Sequence, residues 1–222
     1  MMSLIERNLF AINEKIKDAC KIYKQEPSRV NLIAVSKKVS EEKIREAIAL
    51  GVKFFGENYI QEAQEKWFKI KKENPEIKLH FIGHLQSNKA ASAVELFDCI
   101  ETLDSQKLAQ ALQKEAEKQK KNLEVFIQVN IGEEPQKGGV MPNEVTELVK
   151  FIRESEGLKL AGLMCIPPAE ELASPYFALL AKLAKENNLK NLSMGMSGDF
   201  EDAIALGATH VRIGTAIFGE RN

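Results

Sequence analysis

Eight times along this chain the apolar residues switch from a strand-like period to a helix-like one, and few folds can absorb that pattern. The strand-like segments fall at residues 31–36, 53–55, 79–82, 99–101, 124–130, 158–164, 191–194 and 210–213. Amphipathic stretches lie between them. In residues 41–50, Ile44, Ala47 and Ile48 share one face, Ser40 stands at the N-cap, Glu41 and Glu42 occupy the first turn, and Gly51 ends the helix. Residues 104–121 repeat the plan, with Asp104 as cap and Leu108, Ala111 and Leu112 turned inward. Strands alternating with helices predict a parallel sheet, open and doubly wound or closed. Eight units with no strand-only remainder favour a closed (β/α)8 TIM barrel, preceded by an extra N-terminal helix over residues 3–25 that Pro27 closes. A short echo agrees with this: Ala47-Ile-Ala-Leu-Gly recurs as Ala203-Ile-Ala-Leu-Gly, each followed by a strand and then by Gly56 or Gly214. With no Pro/Ser-rich linker, residues 1–222 read as one domain.

Composition narrows the functional classes. The 31 basic and 32 acidic side chains leave a net charge of −1, so a nucleic-acid partner is not expected. No apolar run approaches the roughly 20 residues of a membrane span, and no charged-then-apolar leader opens the sequence. Cys20, Cys99 and Cys165 are odd in number and far apart, as in a reduced cytoplasmic protein.

The two last strand-like segments run out into small residues, Gly195, Ser197 and Gly198 after one, Gly214 and Thr215 after the other. Asp199 or Ser197 would open the helix between them. Backbone N–H groups in such loops, beside a helix N-terminus, suit a phosphate. Loops at consecutive strand ends are also where barrels of this kind place one. If the barrel closes, the first strand, ending at Lys37 and Lys38, lies beside the eighth. The rims of strands one and seven would then be roughly 10 Å apart, a gap that a lysine stem and a small phosphorylated ring would span. A lysine amine that loses its proton attacks an aldehyde; a solvated pair closing a strand is the plainer alternative.

Other residues on the same rim admit two readings. Arg212, on the eighth strand, is placed to meet an anion, a carboxylate or a ring nitrogen. Asn58, in Gly56-Glu-Asn-Tyr59, is either a rim ligand or a helix cap. His80 and His84 bracket a strand and turn without Cys, Asp or Glu at ligand spacing, so local hydrogen bonding is expected there rather than a metal. The stretch Ile131-Gly-Glu-Glu-Pro-Gln-Lys-Gly-Gly139 is a lid or an ordinary surface loop, and Lys137 within it offers a second amine.

Seven segments in fixed order carry a family resemblance: Ala34-Val-Ser-Lys37, Phe55-Gly-Glu-Asn58-Tyr, His80-Phe-Ile-Gly-His-Leu-Gln-Ser-Asn-Lys89, Gln128-Val-Asn-Ile-Gly-Glu-Glu-Pro-Gln-Lys137, Gly162-Leu-Met-Cys-Ile-Pro167, Leu192-Ser-Met-Gly-Met-Ser197 and Val211-Arg-Ile-Gly-Thr-Ala-Ile-Phe-Gly219. From about Asn31 to Gly219 the chain resembles the pyridoxal phosphate homeostasis protein family. The resemblance implies a barrel similar to the N-terminal domain of alanine racemase, standing alone. It implies pyridoxal 5′-phosphate held as an internal Schiff base on Lys37, with Ser197, Gly214 and Thr215 at the phosphate, Arg212 facing the pyridine nitrogen and Asn58 beside the ring. Gly198, Phe200 and Gly139 depart from the residues usual in that family.

Two functions compete under this resemblance. A pyridoxal phosphate-dependent amino-acid racemase needs a base on each face of the ring. In alanine racemase the second is a tyrosine from an additional β domain across a dimer, whereas here the eight units use up the chain. Tyr23, Tyr59 and Tyr176 are the only tyrosines. An arginine at the ring nitrogen stays charged and accepts no proton, which weakens the ring as an electron sink. The expectation is therefore a non-catalytic, monomeric carrier or buffer of the cofactor that supplies apo pyridoxal phosphate enzymes and maintains vitamin B6 homeostasis.

Overall fold

The computed structural model describes residues 2–220. Among them, eight parallel strands close into a barrel in sequence order: β1 Asn31–Val35, β2 Phe54–Glu57, β3 Lys78–Phe81, β4 Cys99–Leu103, β5 Leu123–Val129, β6 Leu158–Cys165, β7 Asn191–Ser193 and β8 His210–Ile213. The seam is β1 against β8, with Ile33 opposite Arg212 and Ala34 opposite Ile213. The expected (β/α)8 barrel is the observed one, with strand ends displaced by a residue or two from the sequence pattern.

Helix α1 Leu4–Ile22 precedes the first strand and α9 Thr215–Phe218 follows the last, while helices return the chain between strands: α2 Glu41–Ala49, α3 Ile60–Glu73, α4 Ala90–Leu96, α5 Gln106–Gln119, α6 Val145–Arg153, α7 Ser174–Glu186 and α8 Phe200–Ala205. The extra helix α1 starts at Ser3, whose side chain accepts from the Glu6 N–H while Glu6 reaches back, a capping box. Its buried stripe of Ile5, Leu9, Ile12, Ile16 and Ala19 packs over α8, α9 and α2, across the β8–β1 seam. Asn8 Nδ2 donates to the Ile217 carbonyl at 2.9 Å and ties the seam further.

Two expected caps differ. The N-cap of α5 is Ser105, which accepts from the Leu108 N–H, rather than Asp104 one residue earlier. A hydroxyl one position closer to the first turn meets that N–H directly. The N-cap position of α3 is Tyr59, so Asn58 caps nothing. Gly51 does close α2, at φ +90°.

Strand parity sorts side chains into two layers. One set, including Ala34, Phe55, Leu79, Ile100, Ile127 and Val211, faces the helices in a continuous apolar layer. The other set faces the barrel axis, and there only Cys99, Phe126 and Met164 form an apolar cluster, with Ala161 packed against it. Ile33 and Phe54 share that axial face, and buried polar groups occupy much of the rest, among them His80, Glu101, Ser193, His210 and Arg212.

Candidate functional site

The C-terminal strand ends form one rim. β1 delivers Lys37, partly buried, and then Lys38, which is exposed and turned away by a left-handed backbone at φ 57°. The turn bearing Lys37 is fixed from below. Ser36 donates its hydroxyl to Glu57 Oε1 at 2.7 Å. Trp67 Nε1 donates to the same oxygen at 2.9 Å, and Lys66 Nζ lies 2.7 Å from it and 2.9 Å from the Ser36 carbonyl. The Lys38 N–H donates to Glu62 Oε1. Glu57 is fully buried, and its charge is met by Lys66 and by two neutral donors. Five side chains, Ser36 after β1, Glu57 of β2 and Glu62, Lys66 and Trp67 of α3, therefore hold one turn in place.

Next along the rim, Asn58 follows β2, and its buried Oδ1 has no hydrogen-bond partner, which leaves an acceptor for a ligand donor. Gly83, after β3, lies so close that a Cβ there would sit 2.1 Å from the Asn58 carbonyl oxygen. Only glycine lets these two strand ends approach.

After β7, Gly195 adopts φ +93°, with Ala203 Cβ 2.6 Å from the position of an added Cβ. Ser197 is exposed on the turn that follows. Asp199 occupies the N-cap of α8, but its carboxylate accepts from the Met196 N–H at 2.6 Å and so tightens that turn. After β8, Gly214 is the N-cap of α9 and Thr215 its exposed first residue, where N–H groups have no intrahelical partner. With β1 paired to β8 and β8 to β7, these two loops follow one another on the β8 side of the Lys37 turn.

Arg212 lies just inside that rim, buried, with Nη1 donating to Ser193 Oγ at 2.7 Å and Nη2 to the Cys165 carbonyl at 2.9 Å. Below it the network continues. Ser193 donates to Glu101 Oε2 at 2.6 Å, and His80 Nδ1 lies 2.7 Å from Glu101 Oε1. Burial, the strongest influence on Glu101, pushes its carboxyl up. The His80 hydrogen bond and the charges of His80, Arg212 and His210 outweigh it and hold the group at about 2. Glu101 is therefore an acceptor only, and His80 Nδ1 carries the shared hydrogen. His210 is held down at about 4, chiefly by burial against the pull of Glu101. Burial raises the Cys165 thiol to about 12, which excludes it as a nucleophile at neutral pH.

Sequence spacing pairs His80 with His84; the fold separates them. His84 stands on the rim near Asp104, while His80 joins Cys99 and Glu101 inside the barrel, with ligand atoms within 4.8 Å of one another. Both Glu101 oxygens are already engaged and Arg212 Nη1 is 3.9 Å away, so a cation there would face a guanidinium. The grouping is a hydrogen-bond network first. The loop after β5 is tied down: the Asn130 N–H donates to the Val140 carbonyl at 2.9 Å, Gln128 Nε2 to that of Gly138 at 3.0 Å, and Lys137 Nζ to that of Pro167 at 3.1 Å. Gly139, unusual for the resembled family, sits at φ +121°, where an added Cβ would meet the Asn130 nitrogen at 2.5 Å.

The rim thus collects Lys37, Asn58, Ser197, Gly214 and Thr215, with Arg212 beneath. Sequence patterns did not reveal Glu57, Lys66 and Glu62 around the lysine turn, or Glu101 and Ser193 under the arginine. Nothing local singled them out: Thr102 accompanies Glu101 in β4 and Asn191 accompanies Ser193 in β7.

Comparison with known proteins addresses the family and the fold. The alanine racemase N-terminal domain family matches residues 8–222. The pyridoxal phosphate homeostasis protein of Pasteurella multocida is 42% identical, covering 98% of each chain. That of Escherichia coli K12 is 38% identical over 100% of this chain and 98% of its own. PipY of Synechococcus elongatus, solved with pyridoxal phosphate bound, superposes with a TM-score of 0.81 at 36% identity, covering 92% of this chain and 100% of PipY. Alanine racemase of Corynebacterium glutamicum shares the fold at a TM-score of 0.67 and 18% identity, with 94% of this chain matched to 61% of that one.

Proposed function

This chain belongs to the pyridoxal phosphate homeostasis protein family, and from that premise we propose that it binds pyridoxal 5′-phosphate reversibly at the rim and carries or buffers it. The observation that carries the reading is the convergence of an amine, a phosphate-compatible pair of loops and a buried guanidinium at three neighbouring strands, β7, β8 and β1. When bound, the cofactor supplies an aldehyde that condenses reversibly with a primary amine and releases water. Lys37 is the amine in place for this, because its turn is clamped by Ser36, Glu57 and Lys66, whereas Lys38 points outward. Ser197 and the backbone N–H groups at Gly214 and Thr215 receive the phosphate. Arg212 donates to the ring nitrogen, and the unpartnered Asn58 Oδ1 accepts from the ring's substituents.

The residues favour holding over turnover. Arg212 keeps its charge and so leaves the ring nitrogen without a proton. Of the tyrosines, Tyr23 closes α1 ahead of the N-terminal end of β1, and Tyr176 is bonded to Glu171. Tyr59 is exposed on the rim. No helix among the described residues is long and apolar enough to cross a membrane. The reading extends to one domain over residues 1–222, acting as a cytoplasmic monomer that supplies apo-enzymes, which light scattering and transfer assays test.

Purified protein should show a visible cofactor band, and borohydride should fix the label to the peptide containing Lys37. Lys37→Ala should abolish the band; its survival would move the attachment elsewhere. Exchange of the α-proton of D- or L-alanine at enzyme-like rates would replace the carrier by a racemase.

A further inference from the structure

We propose that Glu101 is the positioning counter-ion of Arg212, fixing through Ser193 the guanidinium that meets the ring nitrogen and thereby setting cofactor affinity from inside the barrel. This rests on the proposed cofactor site but adds residues to it that lie beneath the ligand and never touch it.

The direction of each hydrogen bond is determined. A guanidinium only donates and a carboxylate only accepts. Ser193 is hydrogen-bonded to both, so it accepts from Arg212 Nη1 at 2.7 Å and donates to Glu101 Oε2 at 2.6 Å. His80 occupies the other carboxylate oxygen, at 2.7 Å, and prevents the carboxylate from turning away. The Cys165 carbonyl takes Nη2. All four side chains are buried. An isolated guanidinium there would bear a large desolvation penalty, which a nearby carboxylate offsets. Glu101 Oε2, 3.9 Å from Nη1, is the only carboxylate paired with Arg212 among the described residues. The other acids on the axial face offer no substitute: Glu124 is partly exposed and lies 2.6 Å from Lys159.

The network also has a far end. His80 and His210, their ring centroids 6.0 Å apart, line a cavity of about 420 Å³ at the opposite mouth, with Phe54, Lys78 and Glu124. The counter-ion, on β4, is thus fixed between the ligand rim and the far mouth, held by groups from β3, β7 and β8.

Glu101→Gln keeps the shape and removes the charge; the new amide also donates, which conflicts with the Ser193 hydroxyl or with His80 Nδ1–H. Two measurements on the full chain test the assignment. In unliganded protein, 15N NMR of the Arg212 guanidinium should show hindered rotation that Glu101→Gln releases and Glu101→Asp partly restores. Affinity for 4′-deoxypyridoxine 5′-phosphate, which lacks the aldehyde and so reports on ring and phosphate alone, should fall roughly tenfold in Glu101→Gln. The visible band of the pyridoxal phosphate-loaded protein should also shift. Should Glu101→Gln not fold, Ser193→Ala removes only the bridge and should produce the same changes, at smaller size. A folded Glu101→Gln or Ser193→Ala protein with unchanged guanidinium rotation and unchanged affinity overturns the proposal. If the unsubstituted chain takes up no probe, yet its hindered rotation is lost in Glu101→Gln, the cofactor reading fails while the positioning one stands.

Discussion

The two interiors of this barrel are built on opposite principles. Between strands and helices lies an apolar layer in which Phe81 and Phe97 meet edge to face at 5.1 Å and Phe55 leans on Trp67 at 4.9 Å. Inside the strands, ions and hydrogen-bonding groups share the axis with Ile33 and Phe54 and with a small apolar remnant of Phe126, Met164 and Cys99. Barrels of this size ordinarily fill that space with branched aliphatic side chains. The helix-facing layer supplies the stability; the axial layer spends some of it on a fixed arrangement of charge below the rim.

The contrast is sharpest in the helix-facing layer, where truncation should be most severe. Phe81→Ala should cost about 3–5 kcal/mol, read from urea denaturation, with the cofactor band retained in whatever remains folded. A loss below about 1 kcal/mol would mean that this layer is not the main source of stability.

Acid should act on the axial layer instead. Between pH 6.5, the ordinary histidine value, and about 4, the unfolded chain takes up a proton at His210 that the folded one refuses. Between the ordinary carboxyl value of 4.5 and about 2, the unfolded chain does the same at Glu101. Both groups therefore stabilise the fold at neutral pH and lose that contribution as pH falls, each by about 3 kcal/mol over its range. Denaturation midpoints at pH 7, 5 and 3.5 should fall in steps, and His210→Gln should flatten the upper step alone. A profile level between pH 6.5 and 4.5 in the unsubstituted protein would show that His210 protonates freely in the fold.

The apolar remnant should matter least. Cys99→Ala should cost about 1 kcal/mol and leave the cofactor band in place. A larger loss, with a displaced band, would make Cys99 part of the charge network beside it.

The sequence made the architecture readable because each strand and helix carries its own period, and β8 even falls at the expected residues, His210–Ile213. The rim was readable because Lys37, Asn58, Ser197, Gly214 and Thr215 all lie within a few residues after the end of a strand. What stayed hidden are partners brought together from distant strands. Glu101 and Arg212 are 111 residues apart (212 − 101), and nothing local in Cys-Ile-Glu-Thr-Leu distinguishes an inward-facing carboxylate from an outward one. Asp104 and Ser105 show the same limit at short range, since either could cap α5 and only backbone geometry selects Ser105.

The pairing of the earliest strand with the latest has a consequence during synthesis. A ribosome emits β1 and its lysine long before β8 and the Gly214–Thr215 turn, so the growing polypeptide has half of the rim for most of translation. Capture of the ligand must therefore wait until the C-terminal residues leave the exit tunnel, and messages truncated ahead of codon 210 should yield products that retain no vitamin at all.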